Sequence, residues 1–287
     1  MRGPSRKAMA VRLPDGSIDL TEMPIKSIKD KYKFLGFPII RGVVNFVESM
    51  IDGYKALSLS AEKSGFAEEE GEEKPSSAVM GVLMAAASVL AVFLSVFLFV
   101  YLPALIFDGL VWLLGSGIEF LAPVFEGVLK IAIMVLYMLA VSRMKDIKRV
   151  FMYHGAEHKT IFCFESGEEL TVENVRRHKR FHPRCGTSFL ILMLLVGIFF
   201  SAVITIVFPT LRSIRILWVA VKILLIPLIC GVGYELIKIC GRYDNIFTRI
   251  ISAPGMWLQR ITTVEPEDDM IEIAIAAVKE VLPETDD

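Results

Sequence analysis

From Ala78 to Phe107 the chain runs for 30 residues without a charged side chain. As a helix this run reaches about 45 Å, at ~1.5 Å per residue. That is more than the ~30 Å hydrocarbon layer of a bilayer, where a helix satisfies every backbone polar group internally. Gly186 to Leu211 is equally free of charge. Two further runs qualify despite internal charges: Val124 to Val141, with Glu126 and Lys130, and Ile216 to Ile237, with Lys222 and Glu235. The expectation is a mainly α, polytopic membrane protein with about four transmembrane helices. Composition agrees: 54% of residues are hydrophobic and the mean hydropathy is +0.56, too apolar for a soluble enzyme core or a disordered chain. A net charge of -1 lacks the basic excess of a dedicated nucleic-acid binder.

Between the first two spans, 104–123 is apolar but broken by Asp108, Glu119, three glycines and the flanking Pro103 and Pro123. It reads as an interfacial or re-entrant connection, because unpaired carboxylates are costly in lipid. Orientation follows from the cations. Residues 103–123 carry no Lys or Arg, whereas 143–187 carries ten. The positive-inside rule places that loop, and with four spans both termini, in the cytoplasm of a cell-membrane protein.

Five regions result. Residues 1–77 form a cytoplasmic N-terminal region: a β-hairpin of Ala8–Leu13 and Ile18–Met23 around the turn Pro14-Asp15-Gly16-Ser17, an amphipathic helix from Ile39 to Ala61, and an acidic linker at Glu68–Lys74. Residues 78–143 hold the first two spans, 144–187 the cytoplasmic loop, and 188–238 the last two spans. Residues 239–287 end in an amphipathic helix whose stripe is Ile271, Ala274, Ile275, Val278 and Leu282.

All four histidines, His154, His158, His178 and His182, fall within one 29-residue window of that loop. Met144–Phe164 reads as a continuation of the second span. On a helix, His154 and His158 then share one face a turn apart, the separation two imidazoles need to hold one metal. His154-Gly-Ala-Glu157-His158 also matches the H-x-x-E-H pattern of inverted zinc hydrolases, in which the glutamate takes the proton from the attacking water. His182-Pro183-Arg184-Cys185 adds an imidazole and a thiolate. His178 lies in a basic run and reads as a solvated face; Cys163, Cys230 and Cys240 read as packing residues.

Two ligand sets stay open. His154, His158, His182 and Cys185 together make a closed structural set; His154, His158 and one further residue, His182, Cys185 or Glu235, make an open catalytic one. The expected cofactor is a divalent metal, zinc by its donors.

Several segments resemble the YqhQ-like family of bacterial membrane proteins. They include Met1-Arg2-Gly3-Pro4, Pro38-Ile39-Ile40-Arg41-Gly42, Tyr153-His154-Gly155-Ala156-Glu157-His158-Lys159-Thr160-Ile161, His182-Pro183-Arg184-Cys185-Gly186-Thr187-Ser188-Phe189 and Gly233-Tyr234-Glu235. The resemblance covers nearly the whole chain. It implies a membrane location and a predicted metal-dependent enzyme with no assigned reaction. It also implies roles for His154, Glu157, His158, His182 and Cys185, and demands none of His178. The expected activity is a metal-dependent hydrolase on a membrane-associated substrate, with Glu157 as general base and Arg184 stabilising an anionic transition state. The alternative is a non-catalytic membrane scaffold with a structural metal clamp. Expected partners are membrane lipids and other membrane proteins.

Overall fold

The computed structural model describes residues 1–3, 5–64, 77–183 and 185–282; the acidic run 68–74 and Arg184 lie outside the described residues. Strands β1 (Arg6–Arg12) and β2 (Ile18–Pro24) pair antiparallel with Arg12 opposite Ile18. Their turn is closed by Asp15, whose carboxylate accepts from Ser17 N–H at 2.9 Å and Ser17 Oγ at 2.6 Å, and by Gly16 at φ 86°. A short α1 (Ile28–Lys31) leads to α2 (Ile40–Lys63).

The membrane part comprises α3 (Ser77–Val96), α4 (Leu102–Leu114), α5 (Ala122–Val141), α8 (Gly186–Val207), α9 (Arg215–Leu224) and α10 (Ile226–Arg242). They make four helices long and apolar enough to cross a bilayer: Ala85–Leu114, Ser116–Val141, Gly186–Val207 and Ile216–Arg242. The chain is a polytopic, mainly α membrane protein with an N-terminal hairpin.

The 104–123 segment departs from the sequence reading. The first span continues through a π-turn at Phe97–Tyr101 and on to Leu114. Pro103 follows directly on that π-turn, where the regular helical hydrogen-bond ladder is already interrupted. The helix stops at Gly115, whose φ of 91° few other residues adopt. A second difference is that α6 (Lys145–Glu165) is a separate helix, because Met144 is extended (ψ 135°).

Outside the spans, α6 packs with α7 (Val172–Arg177) and α12 (Asp268–Val281) around buried Ala156, Cys163, Val175, Met270 and Ile271. Buried Ala8 and Val11 lie on β1, and β1 is tied to α12 by Arg12, which reaches Asp269 O at 2.9 Å and Glu272 at 2.8 Å. Helix α11 (Ile246–Thr262) joins α5 and α8 through Met134, Ile191 and Leu258. Between α11 and α12, Val264 N–H donates to Phe151 O at 2.9 Å, and a Cβ on Gly155 would collide with the Val264 carbonyl. The chain therefore runs directly against α6.

Two amphipathic helices leave apolar faces exposed: Val47, Met50, Ile51, Tyr54 and Leu57 on α2, and Ile246, Ile250 and Trp257 on α11. Beside four spans, this is the pattern of helices lying in the membrane interface.

Gly155→Ala is expected to destabilise the protein by about 1–3 kcal/mol through overpacking, read as a lower thermal unfolding midpoint in detergent. Gly53→Ala in α2, where a Cβ meets nothing within 4 Å, is expected to leave the midpoint unchanged or raise it.

Candidate metal centre

Because Ala156 and Cys163 turn one face of α6 toward α12, the face carrying His154, His158, Ile161 and Glu165 is left for the start of α8. These side chains, with Glu157, His182, Cys185 and Gly186, line a cavity of about 330 Å³.

Three donors converge there. His154, His158 and Cys185 each offer a ligand atom within 4.8 Å of the others, and His154 Nε2 lies 3.2 Å from Cys185 Sγ. Both imidazoles are oriented from behind. His154 Nδ1 donates to the Thr262 carbonyl at 2.8 Å, and His158 Nδ1 to the Arg180 carbonyl at 2.5 Å. A carbonyl only accepts, so each ring carries a proton on Nδ1 and turns Nε2 to the cavity, where it donates to Cys185 when the ring is charged and is free to ligate a metal when the ring is neutral. Cys185 is the N-cap of α8, where Sγ also accepts from Thr187 N–H at 3.4 Å.

The electrostatics suit a thiolate. Burial alone would push the Cys185 thiol up; hydrogen bonds from His154 and His158, the charge on His154 and the Thr187 contact bring it down to about 5. Burial likewise opposes charge on His154, but its hydrogen bond to Cys185, that group's charge, the Thr262 carbonyl and Glu157 raise its pKa. A second group, Cys163, Glu168 and His178, is equally close-set. There, however, burial and Glu168 push the Cys163 thiol up, and its Sγ lies 3.6 Å from the Glu169 carbonyl, to which it donates. It is a buried protonated thiol beside a pair made by half-buried His178 and exposed Glu168 (3.4 Å).

The other sequence candidates are placed as follows. His182 lines the cavity, but its Nε2 lies 3.5 Å from Glu165 Oε2 and outside the three-donor group. Glu157 lines the cavity and makes no hydrogen bond to another described residue. Glu235 does not line it: its carboxylate is forked by the Arg41 guanidinium, with Arg41 Nε at 2.6 Å, and accepts from Ile39 N–H. That grip holds the start of α2, where Ile39 has a φ of 70°. Arg184 lies outside the described residues.

Two residues escaped the sequence reading. Glu165 continues the His154/His158 face by three and then four residues, a spacing that extending the helical face would have found. Gln259 is fully buried, takes His182 N–H at 2.7 Å, and donates to His182 O at 2.8 Å and Ser188 Oγ at 2.9 Å. On an amphipathic helix such a glutamine looks like an ordinary solvated residue.

The family model described as a protein of unknown function, DUF1385, matches residues 37–284. The chain is 33% identical over 282 residues to the uncharacterised protein YqhQ of Bacillus subtilis (strain 168), covering 95% of this chain and 86% of that one. The chain belongs to the DUF1385, or YqhQ-like, family. No solved structure matches it. The matched region contains every residue of the cavity, together with Gln259 and Thr262.

Gln259→Leu removes the partners of both His182 backbone groups in the interior. It is expected to cost on the order of 3 kcal/mol, seen as a lower unfolding midpoint in detergent.

Proposed function

We propose that His154, His158 and Cys185 hold a divalent metal ion, zinc by its donors, and that the protein is a metal-dependent hydrolase acting on a membrane-associated substrate. The observation that carries this reading is the convergence of two imidazoles, each oriented by a backbone carbonyl, on one thiolate. Donors on a single tetrahedral zinc, at ~2.0–2.1 Å for nitrogen and ~2.3 Å for sulfur, stand about 3.5 Å apart, close to the 3.2 Å between His154 Nε2 and Cys185 Sγ. Three protein donors facing a cavity fit the open, catalytic pattern rather than the closed structural one.

Such an ion supplies Lewis-acid polarisation and the acidification of water. The chain supplies the rest. Glu157 and Glu165 line the cavity and can accept the proton of an attacking water. His182, 5% exposed and beside Glu165, can hand a proton to a leaving group. Cys185 stands at the start of the third span with α11 packed along that helix, a setting that suits a substrate held at the membrane surface. The ten cations of 143–187 support a cytoplasmic setting for this face.

The scaffold alternative needs His182 as a fourth ligand. Metal analysis of detergent-purified protein separates the readings. One equivalent per chain is expected, lost in His154→Ala, His158→Ala and Cys185→Ala, and kept in His182→Ala, Glu157→Gln and Glu235→Ala. Loss in His182→Ala supports the clamp instead, and a metal-free parent chain overturns both.

A further inference from the structure

A second cavity, of about 430 Å³, lies inside the helical bundle between α5, α8, α9 and α10, with Phe99 and Val100 of the π-turn on its rim. Its size falls within the roughly 300–1,000 Å³ of small-molecule sites, and its wall is mostly aliphatic and methionine side chains. Three charged residues interrupt that wall: Glu126, Lys130 and Lys222. Lys222 Nζ bonds Glu126 Oε2 at 2.5 Å, with both side chains under a tenth exposed, and lies 4.8 Å from the Trp218 ring centroid. Lys130 makes no hydrogen bond or ion pair with another described residue, although it feels both Lys222 and Glu126. An ionisable residue inside a span is costly and marks a functional site by default, and these three sum to one excess positive charge.

The cavity also has a side door. Tyr137, Ile223 and Ile226 belong to its lining and are 55%, 48% and 49% exposed on the outer surface of the bundle, the surface that faces lipid chains. The charged end is set apart from the His/Cys cavity: about 16 Å of helix separates Lys130 from Val141, and about 22 Å separates Glu126 from it, after which the chain turns into α6.

We propose that this cavity binds one anionic phospholipid from the leaflet opposite the His/Cys site, with one chain among the apolar side chains and its phosphate held by Lys130 beside the Lys222–Glu126 pair. Lysine binds phosphate as a point charge, and basic pockets between spans are suited to anionic headgroups. The lateral opening admits a ligand from the bilayer, and the apolar wall gives a water-soluble anion nothing to bury. The site is independent of the proposed metal centre.

Native mass spectrometry of the detergent-purified chain tests this with phosphatidylglycerol, with phosphatidylcholine of the same chains, and with inorganic phosphate alone. One phosphatidylglycerol per chain is expected to be retained in preference to phosphatidylcholine. Lys130→Gln, which leaves the Lys222–Glu126 pair intact, is expected to lower that retention about fivefold. Lys238→Gln, the same charge change at an exposed position outside the cavity, is expected to leave it unaltered. Gly197→Leu is the second variant: a Cβ there meets only Ile229 Cδ1, at 3.6 Å, so a leucine fills the cavity and is expected to abolish retention without touching a charge. Equal retention of the two lipids, no effect of Lys130→Gln or of Gly197→Leu, or displacement of phosphatidylglycerol by inorganic phosphate would each overturn the proposal.

Discussion

Two backbone carbonyls, those of Thr262 and Arg180, decide the direction in which the His/Cys cluster faces. Each accepts a hydrogen bond from the Nδ1–H of one imidazole and so turns the opposite ring nitrogen toward Cys185. Neither carbonyl is positioned locally. Thr262 ends α11, whose place is set by Leu258 against Met134 and Ile191 and by the close approach of Gly255 to Ser188. Arg180 lies in the loop that Gln259 grips through His182. The membrane helices, the interfacial helix and the α6–α12 layer therefore meet at the two histidines, and a shift in any of them turns an imidazole.

The boundary of the membrane explains why the cluster lies there. A thiolate cannot sit in hydrocarbon, but the first turn of a span has unpaired N–H groups and the positive end of a helix dipole. Cys185 uses that place. Two carboxylates within the spans are handled differently: Glu126 pairs with Lys222, and Glu235 is occupied by Arg41. These two pairs bind α5 to α9 and α2 to α10, which keeps both carboxylates out of the His/Cys cavity.

Much of this was legible in the chain itself, for physical reasons. Charge-free runs such as Ala78–Phe107 have one low-energy destination, so the four spans stood out. The hairpin did too, because Pro14-Asp15-Gly16-Ser17 has few other uses. Four histidines confined to one loop made His154 and His158 visible, and Cys185 followed from its nearness to His182. What stayed hidden depended on tertiary partners. The π-turn that carries the first helix past Pro103 has no residue signature. Glu235 looked like a candidate ligand because Arg41, its partner, lies 194 residues away in sequence. His182 looked like a ligand from its neighbours, yet the grip of Gln259 on its backbone leaves its ring toward Glu165.

X-ray absorption at the zinc edge of the purified, metal-loaded protein tests the central claim most directly. The account predicts one sulfur at ~2.3 Å and two imidazole nitrogens at ~2.0–2.1 Å, with a light-atom scatterer completing the shell. A shell without sulfur, or one with three imidazoles and a sulfur, would contradict it.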